Sequence, residues 1–128
     1  TVAVALAGHV ADVYLLGGRL FKHSMVTSGA AAAEAAEGVT ADLFLLGVTG
    51  VRADSGLTTG DPDEAAIKRA LARRAGETWV MASAEKIGAA SAFSVLGLDE
   101  VAGIVTDAPA DDATVTSLRR SGVAVVHA

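Results

Sequence analysis

The stretch that most constrains this chain runs from Thr40 to Leu71: T-A-D-L-F-L-L-G-V-T-G-V-R-A-D-S-G-L-T-T-G-D-P-D-E-A-A-I-K-R-A-L. An apolar run, Leu43 to Leu46, empties into a loop carrying Gly47, Gly50, Gly56 and Gly60, and that loop feeds a strongly signalled helix. Asp61 reads as its N-cap and Pro62 as its first residue, with Glu64 at the third position closing a capping box. Glu64 and Lys68 stand four apart in the favourable order and read as a surface ion pair. A strand, a glycine-rich loop and a helix N-terminus together suit an anion, because backbone N–H groups point outward and the helix dipole favours negative charge. The segment is therefore expected to hold a small, phosphorylated molecule at the carboxyl end of a strand. The same pattern also serves as a plain connection in many α/β proteins, and no P-loop or dinucleotide fingerprint accompanies it.

Composition narrows the class. A chain of 128 residues that is 52% hydrophobic and 20% charged suits one globular domain with a real core. Only 4% of its residues are aromatic, so that core must be built from Ala, Val and Leu. Zero cysteines exclude disulfides and thiolate metal sites and suit a cytoplasmic protein. No charge-free apolar run reaches the ~18 residues of a membrane span, so no membrane partner is expected. Net charge is −5, and the basic cluster Lys68, Arg69, Arg73 and Arg74 reads as a solvated helix face rather than a nucleic-acid footprint. His9, His23 and His127 are scattered without ligand spacing, so no metal and no cofactor is expected. The first residues lack an initiator Met and a basic leader and read as a short helix ending at Gly8, which suggests a fragment.

Buried runs and helical patterns alternate along the rest. Val13–Leu16, closed by Gly17-Gly18, reads as a buried strand, and Ser24–Ser28 as another. Gly29–Glu37 is an alanine-rich helix ending at Gly38. Leu43–Leu46 is a strand, and the helix from Pro62 is expected to stop near Gly76. Thr78–Met81 is β-prone, with Trp79 in the core. Residues 82–92 form a small-residue loop, and Phe93–Val95 and Val101–Val105 are further strands. Asp111 or Asp112 caps a helix through Arg120, and Val123–Val126 is a last strand. This alternation predicts an α/β parallel sheet with helices on its faces and a ligand crevice at the carboxyl ends of its strands. Gly17-Gly18-Arg19, Gly47–Gly50, Ser83–Lys86 and Thr106-Asp107 all fall at such ends.

The segments L-L-G-G-R-L (15–20), A-D-L-F-L-L-G-V-T-G-V (41–51), G-L-T-T-G-D-P-D-E-A-A-I-K-R-A-L (56–71), V-M-A-S-A-E-K-I-G (80–88) and I-V-T-D (104–107) keep an order and spacing that covers nearly the whole chain. In these residues the chain resembles the carboxyl-terminal sensor domain of DeoR-family transcriptional regulators. The resemblance implies a three-layer parallel-sheet fold similar to ribose-5-phosphate isomerase, glucosamine-6-phosphate deaminase and the CoA transferases. It also implies a sugar-phosphate effector, and an amino-terminal helix-turn-helix through which alone DNA would be bound. The family's first sensor strands, with their G-T-T-T-like phosphate loop, would precede Thr1.

Transferred to this chain, the effector site would comprise Gly17, Gly18, Gly47, Thr49, Gly50, Thr58, Glu64, Lys68 and Lys86. Lys86 sits in a loop without an obvious local partner and Lys68 is the second candidate phosphate contact. Glu64 is a cap or a base, and Asp107 is expected to cap the turn that follows it. The pattern departs from the family at two places. Thr49 stands where V-D-G is usual, and Ser83-Ala84-Glu85-Lys86 where D-x-S-K is usual. Without a carboxylate at Thr49, proton transfer at a sugar carbon loses a candidate base. Ser83 has no activating partner at motif spacing. The expectation is thus a non-enzymatic effector domain of a repressor of sugar metabolism, forming homo-oligomers. A small sugar-phosphate isomerase or deaminase is the alternative, and an assembly module with a vestigial pocket a third reading.

Overall fold

A computed structural model describes residues 1–128. Its centre is a four-stranded parallel sheet in the order β3-β6-β8-β9, made of β3 (Ala41–Gly47), β6 (Ala75–Met81), β8 (Gly103–Thr106) and β9 (Val125–His127). A three-stranded antiparallel sheet, β4 (Gly50–Arg52), β5 (Gly56–Thr59) and β7 (Phe93–Leu96), packs beside it. A separate hairpin, β1 (Arg19–Phe21) with β2 (Val26–Ser28), lies near the amino end. The helices are α1 (Val2–Leu6), α2 (Ala30–Glu37), α3 (Pro62–Arg73) and α4 (Ala113–Arg120).

The parallel α/β sheet is the one the alternating pattern implies, and most elements fall within a residue or two of their sequence signals. Asp112 is the cap of α4, its Oδ1 accepting from the N–H groups of Thr114 (2.8 Å) and Val115 (3.0 Å). One core joins the two sheets: Leu46, Val80 and Ile104 meet Val51, Leu57 and Val95, with Ala65 of α3 and Leu118 of α4 packed among them. A smaller cluster joins Ala32 and Ala36 of α2 to Ile67 of α3. The short alanine side chains of α2 thus dock on α3, with β2 packed against the same helix.

These packings all lie on one face of the parallel sheet. The opposite face carries Leu43 and Leu45 of β3, Trp79 and Met81 of β6, Val105 of β8 and Val126 of β9, aligned by the strand register. Four of them (Leu43, Leu45, Met81, Val126) are 42–57% exposed. Parallel sheets usually bury both faces. Trp79, expected in the core, is instead a half-buried member of this open face, its indole lying over Gly103.

Four other expectations are corrected. Val13–Leu16 forms no strand, and its residues are largely exposed, because no strand pairs with it. The glycine-rich segment after β3 is a β4–β5 hairpin rather than an open loop; Gly56, at φ +69°, makes the turn that no side chain tolerates cheaply. Gly76 does not end α3 but lies inside β6, where an added Cβ would come within 3.1 Å of the Asp42 carbonyl oxygen. The basic cluster of α3 is only partly solvated: Arg69 donates to the Ser94 carbonyl and Arg74 Nε to that of Val39 (3.0 Å), tying the helix to its neighbours.

Candidate functional site

A cleft of about 740 Å³ opens where β3 ends. Its floor is the run Phe44–Thr49, one wall is the face of α3 carrying Glu64, Ile67, Lys68 and Leu71, and the other is formed by Tyr14–Leu16 and the β1–β2 turn from His23. Lys86 reaches in from the turn after β6. Five of the residues picked out by sequence meet here: Gly47, Thr49, Glu64, Lys68 and Lys86. No helix of the chain is long and apolar enough to cross a membrane.

Glu64 and Lys68 form an ion pair, but not the surface pair their spacing suggests. Glu64 is 3% and Lys68 9% exposed, and Lys68 Nζ donates to Glu64 Oε1. The capping box is consequently half made. Asp61 Oδ1 accepts from the Glu64 N–H (2.8 Å), while the Glu64 carboxylate, held by Lys68, does not reach back. A buried pair of this kind is costly to break, because the remaining partner keeps its charge without compensation.

Lys86 is held differently. It closes a 3₁₀ turn, Ala84–Lys86, whose Ala84 N–H donates to Asp107 Oδ1 at the end of β8 (2.7 Å). Asp107 therefore does not cap the turn that follows it but clamps the turn that presents Lys86. Within that turn Ser83 Oγ donates to Glu85 Oε1 (2.6 Å), and this bond holds the Glu85 carboxyl below its ordinary range. Hydroxyl and carboxylate thus occupy exchanged positions relative to D-x-S-K. The ammonium of Lys86 itself makes no ion pair.

The other four residues do not line the cleft, for packing reasons. Gly18 lies at φ +145° against α2, where a Cβ would meet Ala32 Cβ at 2.7 Å, and Gly17 beside it faces open space. Gly50 lets the Ala89-Ala90 backbone cross β4; a Cβ there would come within 2.3 Å of the Ala89 carbonyl oxygen. Thr58 is buried, and its Oγ1 accepts from the Ser91 N–H (2.9 Å). The anion cradle expected from the glycine segment is correspondingly taken up by the fold. The Thr49 N–H donates to the Thr58 carbonyl (3.0 Å), and the N-terminus of α3 is occupied by its own Asp61 and by Asp63, which pairs with Arg19 (3.2 Å). The positive charge of the cleft comes from side chains.

Sequence reasoning missed the β1–β2 turn. His23, Ser24 and Met25 line the cleft, and Met25 is the chain's single non-glycine residue at positive φ (+55°). No local motif marks them. A second cleft, of about 670 Å³, lies at the amino ends of β8 and β9. Its charged residues are Asp54 and Asp99, so it does not suit an anion. The Arg52 guanidinium, bonded to Asp54 (2.7 and 2.9 Å), holds that carboxyl below its usual value.

Residues 1–108 match the DeoR C terminal sensor domain. The chain belongs to the DeoR family. Among relatives of this DeoR-family chain, the HTH-type transcriptional regulator GlpR of Haloferax volcanii is 30% identical over 98% of the chain and 49% of its own length. The uncharacterized HTH-type transcriptional regulator FruR of Bacillus subtilis is 35% identical over 74% of the chain and 38% of its own length. The HTH-type transcriptional repressor GlcR of Bacillus subtilis is 29% identical over 88% and 43%. The DeoR-family chain thus spans about half or less of the length of the curated relatives it matches. Its cleft lies within the matched residues.

Proposed function

We propose that this DeoR-family domain senses a phosphorylated sugar and thereby alters DNA binding by a helix-turn-helix module of a cytoplasmic repressor. The observation that carries this reading is the cleft at the carboxyl end of β3, lined both by Lys86, which makes no ion pair, and by the buried Glu64–Lys68 pair. A phosphate would take its charge from Lys86, and polar groups around Thr49 and Glu64 would meet the sugar. Such an effector shifts the regulator only by its difference in affinity for two conformations or assemblies, and that difference is the signal.

The reading is one of binding without turnover. The carboxylate an isomerase would use near β4 is replaced by Thr49, and the only carboxylate lining the cleft is already engaged by Lys68. Self-association belongs to the same reading and is supported by the uncovered apolar face of the parallel sheet; a monomer by light scattering at working concentration would overturn that part.

The test is thermal unfolding of the intact protein against sugar phosphates and their unphosphorylated counterparts. A ligand that binds the native state stabilises it by mass action, by about 2.7 kcal/mol at a hundredfold excess over Kd, and so raises the melting temperature. A phosphate-dependent rise that Lys86→Ala abolishes supports the reading. No rise with any of them overturns it, and release of an isomerised or deaminated product would establish the enzymatic alternative.

A further inference from the structure

His23 lines the cleft from the β1–β2 turn, on the wall opposite α3, and neither the core nor the reading above gives it a role. Of the three histidines, His9 Nδ1 accepts from the Ala11 N–H (3.1 Å) and His127 Nε2 pairs with Arg119 (2.7 Å), whereas His23 is exposed and its ring holds no hydrogen bond or ion pair. The ring is nonetheless placed. It packs against Phe21, with centroids 6.2 Å apart and planes tilted by 55°. The turn beneath it is fixed from both sides: β2 packs on α2 and α3, and Arg19 of β1 pairs with Asp63 in the first turn of α3. Met25, two residues on, holds φ +55°, a strain that persists only where surrounding structure imposes it.

The charges around this imidazole are few. The titratable side chains lining the cleft are Tyr14, His23, Glu64, Lys68 and Lys86. Glu64 and Lys68 hold one another on α3, and Lys86 makes no ion pair. Lys22 adjoins His23 in the chain, the Arg19–Asp63 pair joins β1 to α3, and α2 carries Glu34 and Glu37 at exposed positions. No carboxylate is bonded to His23, and the one carboxylate lining the cleft is engaged by Lys68. Histidine is the side-chain type that ordinarily changes charge between about pH 5 and pH 8. Protonated, it adds a second free cation to the cleft beside Lys86; neutral, it adds none.

We propose that His23 is a proton-switched anion contact, so that binding of a phosphorylated effector takes up a proton and tightens as pH falls. This rests on the effector reading given above and adds to it a binding residue and a linkage to pH. The sign follows from charge. An anion beside the imidazolium makes the ring hold its proton more tightly in the complex than in the free protein. The added affinity is fully present below the pH at which the free ring titrates and is lost as pH rises through that of the complex. The ligand acts in the opposite sense: a phosphate monoester, with its second pKa at about 6, gives up a fraction of a proton when bound as the dianion.

The experiment is calorimetric titration of the intact protein with inorganic phosphate, glucose 6-phosphate, fructose 6-phosphate and ribose 5-phosphate, at about pH 8 and about pH 6.5. Each titration is run in two buffers of different ionisation enthalpy, and the buffer dependence of the heat counts the protons exchanged. The wild-type protein is expected to take up a fraction of a proton with a binding probe and to bind it about threefold or more tightly at the lower pH. His23→Gln is expected to take up none, to lose the gain at the lower pH, and to keep the melting temperature of the free protein. The double variant His9→Gln with His127→Gln alters the two histidines outside the cleft and is expected to behave as the wild type. Binding without proton uptake, uptake that persists in His23→Gln, or uptake lost in the double variant overturns the proposal while the Lys86-dependent effector reading stands. A melting temperature that falls in His23→Gln would make the residue structural and likewise overturn it. Binding by no probe overturns the effector reading itself, and this inference with it.

Discussion

Leu45 and Leu46 are neighbours in one strand, yet Leu46 is fully buried and Leu45 is 57% exposed. The difference is that of the two faces of the parallel sheet. On one, side chains from three strands interlock with α3, α4 and the antiparallel sheet; on the other, apolar side chains of the same kind stay about half exposed. A strand's alternation assigns each residue to a face, but only the neighbouring elements decide whether that face becomes core.

The largest effect should come from the packed face. Leu46→Ala is expected to cost about 3 kcal/mol in denaturant unfolding, whereas Leu45→Ala should stay within about 0.5 kcal/mol. Similar losses at the two positions would break the comparison. Glycines sharpen it within the open face itself. Gly103→Ala would drive its Cβ to 2.5 Å from the Trp79 ring and 2.8 Å from the Ala124 carbonyl oxygen, and is expected to cost about 1–3 kcal/mol. Gly47→Ala, on the same face with open space above it, should be neutral or slightly stabilising. Smallest of all, Leu43→Lys combined with Leu45→Lys should shift stability by no more than about 0.5 kcal/mol, while lowering any self-association seen by light scattering.

Legibility followed the same divide. Local chemistry located α3 and α4, since Asp61 and Asp112 are capping side chains whose role needs only their own helix. Strands of the parallel sheet were readable as apolar runs closed by turn residues. What escaped was everything set by a partner far away in sequence. Val13–Leu16 has the composition of a strand but no strand beside it. Gly50 and Thr58 looked like ligand-loop residues because nothing local reveals that Ala89 and Ser91 cross over them. Glu64 and Lys68 have surface spacing, and only the tertiary fold buries them. Lys86 was legible as an unpaired cation in a small-residue loop, but the clamp from Asp107 that aims it was not. His23 was invisible as a site residue because only the folded β1–β2 turn brings it to the cleft wall.

Consecutive residues of α3 do opposite jobs. Lys68 belongs to the cleft, while Arg69 grips the Ser94 carbonyl of β7 and Arg74, at the helix end, grips that of Val39 just before β3. One helix therefore joins the cleft to both sheets, and a molecule that draws on the Glu64–Lys68 pair touches an element bonded at two further points. Amide exchange at β7 and at the entry to β3, rather than at the cleft, is where occupancy should first be felt at a distance.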